Sequence, residues 1–109
     1  MAPGTVSAMK TFISEDWIFT LTVAGGKKRP DGRLDCRCGF EEGDRFSCEY
    51  ACPGGFCPKV LMKAFPMMEA VRSGGSLKAL GGQSDHCLEF VCPDGVILLR
   101  LQARRKEEV

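Results

Sequence analysis

Seven cysteines are spread along 109 residues, and their placement decides what chemistry the chain could do. The best placed is Cys57, within Pro53-Gly54-Gly55-Phe56-Cys57-Pro58. Proline is tolerated at the first helical position, where its missing N–H loses no bond, so Pro58 predicts a helix start with Cys57 as N-cap. Unpaired backbone N–H groups and the positive end of the helix dipole favour a thiolate there and can bring a thiol pKa well below ~8.5. Gly54 and Gly55 let the backbone come close to an anion or a metal-bound thiolate. Arg72 is the matching candidate anion anchor, although a cation in the last helical turn is also explained by the dipole. The competing reading of Cys57 is a small apolar side chain packed behind a tight glycine turn.

The other cysteines suggest a soft metal more than a reaction. Cys36-x-Cys38, Cys52-x4-Cys57 and Cys87-x4-Cys92 are pairs without the C-x2-C spacing of zinc ribbons or the run typical of ferredoxins. If Leu34, Cys36 and Cys38 share one face of a strand, two sulfurs reach the same ion. Cys52 and Cys57, flanking the glycine turn, would then complete a four-thiolate set of Cys36, Cys38, Cys52 and Cys57 for zinc or another thiophilic metal. Cys48 alternates in phase with Phe46 and Tyr50 and is expected in the core. Cys92 follows Leu88 and Phe90, at the edge of a turn. His86 is the single histidine, so Cys57 with His86 is the one nucleophile–base pair available, and nothing in the sequence brings them together. Catalysis therefore has little support. Met62, Met67 and Met68 follow helical core spacing rather than a copper motif.

These side chains need elements to position them. Trp17, Phe19, Leu21 and Val23 alternate with Ile18, Thr20 and Thr22, the mark of a half-buried strand. Gly25-Gly26 ends it, Leu34 to Cys38 reads as a short second strand, and Arg45 to Tyr50 as a third. Val60, Ala64, Met67 and Val71 form one helical stripe, with Leu61, Phe65 and Met68 beside it. Pro66 interrupts the interior of that helix but falls on its polar side, which predicts a kinked helix with the proline facing water. Gly74-Gly75 supplies a left-handed C-cap. Leu88 to Cys92 and Val96 to Ala103 flank Pro93-Asp94-Gly95, a type I turn with a bulging glycine. The last strand is apolar on both faces and should be interior or covered. The expected fold is α+β: one antiparallel or mixed sheet, order β-β-β-α-β-β, with the kinked helix on one face. Residues 1–12 are expected as a flexible lead-in, residues 13–104 as the single domain and residues 105–109 as a charged tail.

Gly43-Asp44-x-Phe46, Pro53-x-Gly55-x-Cys57-Pro58, Pro66, Arg72-x-Gly74-Gly75 and Cys92-Pro93-Asp94 follow one another in that order. On these motifs, from about Cys36 to Leu101, the chain resembles a family of small prokaryotic proteins of similar length and unknown function. The resemblance implies a self-standing domain in which Cys57 and the Cys92 turn recur, and it implies no activity. Cys36, Cys38, Cys48, Cys52, Cys87 and the basic loop at Lys27-Lys28-Arg29 depart from that pattern.

Composition narrows the partners. Fifteen basic against fourteen acidic side chains leave a net charge of +1, which argues against nucleic acid. No apolar run approaches the ~18 residues of a membrane span, so no membrane partner is expected. The first residues lack the basic-then-apolar pattern of an export signal, and unpaired thiols then fit a cytoplasmic location. An exposed edge strand permits a homodimer. Three readings stay open: a cysteine-dependent metal-binding or redox module centred on Cys57, a non-catalytic interaction or oligomerisation domain with structural cysteines, and a small enzyme using the Cys57 loop.

Overall fold

A computed structural model describes residues 16–48 and 56–105. Strand β1 (Trp17–Gly26) and strand β2 (Arg45–Cys48) precede helix α1 (Pro58–Arg72), and strands β3 (Cys87–Val91) and β4 (Ile97–Arg105) follow it. The four strands form one antiparallel sheet in the order β2-β1-β4-β3. The alternation in β1 sends Trp17, Phe19, Leu21 and Val23 to the buried face, where Phe19 lies opposite Ala103, Leu21 opposite Leu101 and Val23 opposite Leu99. β4 is interior, which accounts for its apolar residues on both sides. Its inward set is Ile97, Leu99, Leu101 and Ala103. An α+β class with one helix against one sheet is what the patterns predicted.

Helix α1 covers the buried face with Val60, Ala64, Met68 and Val71. Burying each of the larger side chains is worth about 1.5–3 kcal/mol, so this stripe is what holds the helix to the sheet. The stripe is rotated slightly from expectation: Met68 is fully buried, whereas Met67 is only partly so. The expected kink is corrected: the helix runs as one uninterrupted element from Pro58 to Arg72, and Pro66 within it lies exposed on the side facing water. At its end, Gly74 N–H reaches Val71 O at 2.9 Å and Gly75 N–H reaches Ala70 O at 2.8 Å. This pair of bonds is the Schellman closure that Gly74-Gly75 forecast.

Among the described residues the strand count is corrected from five to four. Leu34 is buried, but it forms only an isolated bridge with Lys28, and the chain then turns at Arg37 and Cys38. Gly39 N–H bonds back to Cys36 O at 3.0 Å, closing a four-residue turn where a strand was expected. Cys36 is half-buried and Cys38 exposed, so the two do not share a strand face. Three alternating positions are too few to tell a strand from a loop with one anchored leucine. No helix among the described residues is long and apolar enough to cross a membrane.

Candidate functional site

Cys57 occupies the N-cap of α1, with φ −67° and ψ 119° and a proline following it in the first turn. Its carbonyl accepts the first helical bond, from Leu61 N–H at 3.1 Å. Its side chain makes no capping hydrogen bond to the helix. The sulfur is therefore left to face a cavity of about 590 Å³ at the start of the helix.

Three other cysteines line the same cavity, namely Cys36, Cys38 and Cys92. Cys36 and Cys38 come from the turn between β1 and β2. Cys92 comes from the turn joining β3 to β4, which the sheet order places beside the helix N-terminus. The neighbouring Cys57 side chain pushes the Cys38 thiol above the ordinary thiol range. Partial burial and the charges of Cys57 and Cys36 act in the same direction, and Arg37 opposes them.

Cys92 is buried, at 9% exposure, and burial alone would disfavour its thiolate. Hydrogen bonding from the backbone of Ile97, with lesser contributions from the backbone of Val96, Asp94 and Gly95, outweighs that penalty and holds the thiol below its usual range. The Ile97 N–H lies 3.4 Å from Sγ. Asp94 ties the surrounding elements together. Its carboxylate accepts a hydrogen bond from Lys59 Nζ at 2.7 Å and lies 3.7 Å from Arg37 Nε. The Lys59 bond, with some help from Arg37, keeps the Asp94 carboxyl below the usual carboxylate range.

Three of the four proposed metal ligands, Cys36, Cys38 and Cys57, thus line one cavity. Cys52 lies outside the described residues, as do Gly54 and Gly55 of the expected anion loop. Arg72 closes the far end of α1, about 22 Å along the axis from Cys57 at 1.5 Å per residue. There it lies over the rings of Phe19 and Phe65 and bonds to Glu69, so it does not line the cavity. His86 is elsewhere too, with its ring 5.0 Å from that of Trp17, and no Cys57–His86 pair is assembled. Cys48 is buried in the core as expected, and Cys87 bonds to Gln83 Oε1 at 3.1 Å, away from the cavity. No disulfide joins Cys36, Cys38, Cys57, Cys87 or Cys92. Among the described residues, no group of three or more His, Cys, Asp or Glu side chains is drawn together so as to hold a metal ion.

Cys92 is the site residue the spacing argument missed. A repeat of Cys-x-x-Gly is present, but it begins at Cys36, Cys52 and Cys92 alike and so does not single Cys92 out. No protein-family model, curated protein or solved structure matches this chain.

Proposed function

We propose that this chain is a cysteine-dependent redox module in which Cys57 and Cys38 form a dithiol–disulfide couple. The observation that supports this most directly is that the free thiols of Cys38 and Cys57 line one cavity, close enough for the Cys57 side chain to raise the Cys38 thiol. Cys57, at the start of α1, is the attacking sulfur, and Cys38 resolves the mixed disulfide in the second step. With a low-molecular-weight disulfide as oxidant, Cys57 attacks one sulfur and expels the other half as a thiolate. Cys38 then gives up its proton and attacks the Cys57 sulfur of the mixed disulfide, releasing the second half. The protein loses two electrons and two protons, and the small disulfide becomes two thiols.

The test is equilibration of the reduced chain with oxidised glutathione, followed by peptide mapping. A Cys38–Cys57 disulfide should be the first to form, and Cys57→Ser should abolish it while leaving Cys87 unaffected. Formation of some other pair first, or no loss of two hydrogens at any glutathione ratio, would sink the reading.

A further inference from the structure

The cavity lined by Cys38 and Cys57 has an apolar floor and a charged rim. Phe40 and Val60, both buried, supply the floor. On the rim, among the described residues, Arg29, Arg37 and Lys59 stand against two carboxylates, Asp35 and Asp94, which leaves one positive charge in excess. The volume of about 590 Å³ lies within the roughly 300–1,000 Å³ that small-molecule sites occupy.

The pairing on the rim shows where that excess sits. Arg29 is matched by Asp35, with Nε 3.4 Å from Oδ1. Lys59 Nζ holds Asp94 Oδ1 at 2.7 Å. Arg37 Nε lies 3.7 Å from the other oxygen of that carboxylate, beyond the roughly 2.7–3.2 Å of an N–H···O bond. Asp94 thus answers Lys59 with a hydrogen bond and leaves the donors of Arg37 uncommitted to it. The Arg37 side chain is 77% exposed, and it follows Cys36 and precedes Cys38, so its charge is carried beside the resolving thiol. A planar fork of N–H donors fits a carboxylate through two parallel bonds.

We infer that, given the redox reading of Cys38 and Cys57, the disulfide this couple reduces is a small one that carries carboxylate groups, held by Arg37 at the rim of the cavity. The apolar floor takes the carbon chain between carboxylate and sulfur, and Arg37 takes the charge. The exchange is that of the dithiol couple: the bound disulfide gains two electrons and two protons and leaves as two carboxylate-bearing thiols, while Cys38 and Cys57 become joined. A neutral disulfide gives Arg37 nothing to hold, and a cationic one is repelled by the surplus charge.

The probes are dithiodipropionate, a dianion, and hydroxyethyl disulfide, which is neutral. Each is given to the reduced full chain at low salt, and the Cys38–Cys57 disulfide is followed in time by peptide mapping. Each rate is divided by that of the same probe with mercaptoethanol, so that the probe's own reactivity cancels. The corrected rate should favour the dianion by about tenfold, the worth of one charge-assisted carboxylate contact, and the preference should shrink as salt is raised. Arg37→Gln should remove most of it. Lys78→Gln, which deletes the same charge outside the cavity, should leave it in place. Alkylation of Cys57 reads the same charge without any disulfide: iodoacetate should gain on iodoacetamide relative to their ratio with mercaptoethanol. Equal corrected rates for the two disulfides, faster reaction of the neutral one, or a preference that survives Arg37→Gln overturns the inference while the redox reading stands. Disulfide formation with neither probe, together with the iodoacetate preference, overturns the redox reading and leaves the cavity a carboxylate site; without that preference both fall.

Discussion

Replacing Gly95 with alanine tests the turn that presents Cys92. Gly95 has φ +76°, and a Cβ built there meets no atom within 4 Å. Steric collision contributes nothing, so the cost is that of holding an L-residue in the left-handed region, about 1–2 kcal/mol. In urea, with a slope of about 1–3 kcal/mol/M for a small domain, this lowers the unfolding midpoint by roughly 0.5–1.5 M. Asparagine visits the left-handed region more readily than alanine, so Gly95→Asn should recover part of the loss. The backbone of Asp94 and Gly95 in this turn also helps lower the Cys92 thiol, so the alanine variant should raise that thiol as well as lose stability. The assays are urea unfolding followed by circular dichroism, and the pH dependence of Cys92 alkylation. A Gly95→Ala protein as stable as wild type, or less stable as Gly95→Asn than as Gly95→Ala, would refute the conformational argument. An unchanged alkylation profile in a destabilised variant would refute its link to the sulfur.

Two further outcomes are expected. The folded state lowers the pKa of Cys92, so its stabilising contribution grows as pH rises through the folded value and is complete above the unfolded thiol value near ~8.5. Cys38 is shifted up, so its contribution is complete below the unfolded value and disappears as pH rises through the folded one. Between about pH 7 and 10 the stability gap between wild type and Cys92→Ser should widen, and that for Cys38→Ser should shrink. Urea midpoints of the metal-free proteins moving in the same direction would contradict the assignment. In the core, Met68→Ala should cost about 2–5 kcal/mol and Met67→Ala clearly less, because only Met68 is fully buried. Equal losses in thermal unfolding would place the helix stripe wrongly.

Patterns confined to a few neighbouring residues determined much of this molecule. The alternation from Trp17 to Val23 specified a strand and its buried face, because side chains on extended backbone point to opposite sides in turn. Pro58 set the start of α1 at Cys57, and Gly74-Gly75 set its end, since each residue type permits or forbids a backbone conformation on its own. The turn from Cys92 to Gly95 was readable for the same reason. Leu34 to Cys38 was misread because alternation over three positions does not show whether backbone hydrogen bonds find a partner strand, and here only an isolated bridge forms. The face of α1 was placed one residue off, because which of two adjacent methionines is buried depends on the helix's rotation against β1 and β4. Which thiols meet around Cys57 was beyond any local pattern. Cys36 and Cys92 are 56 positions apart and share a cavity with Cys57 because the sheet order β2-β1-β4-β3 carries the β3–β4 turn to the start of the helix. That pairing is settled by packing over the whole sheet, whereas the N-cap position of Cys57 was already written in the proline that follows it.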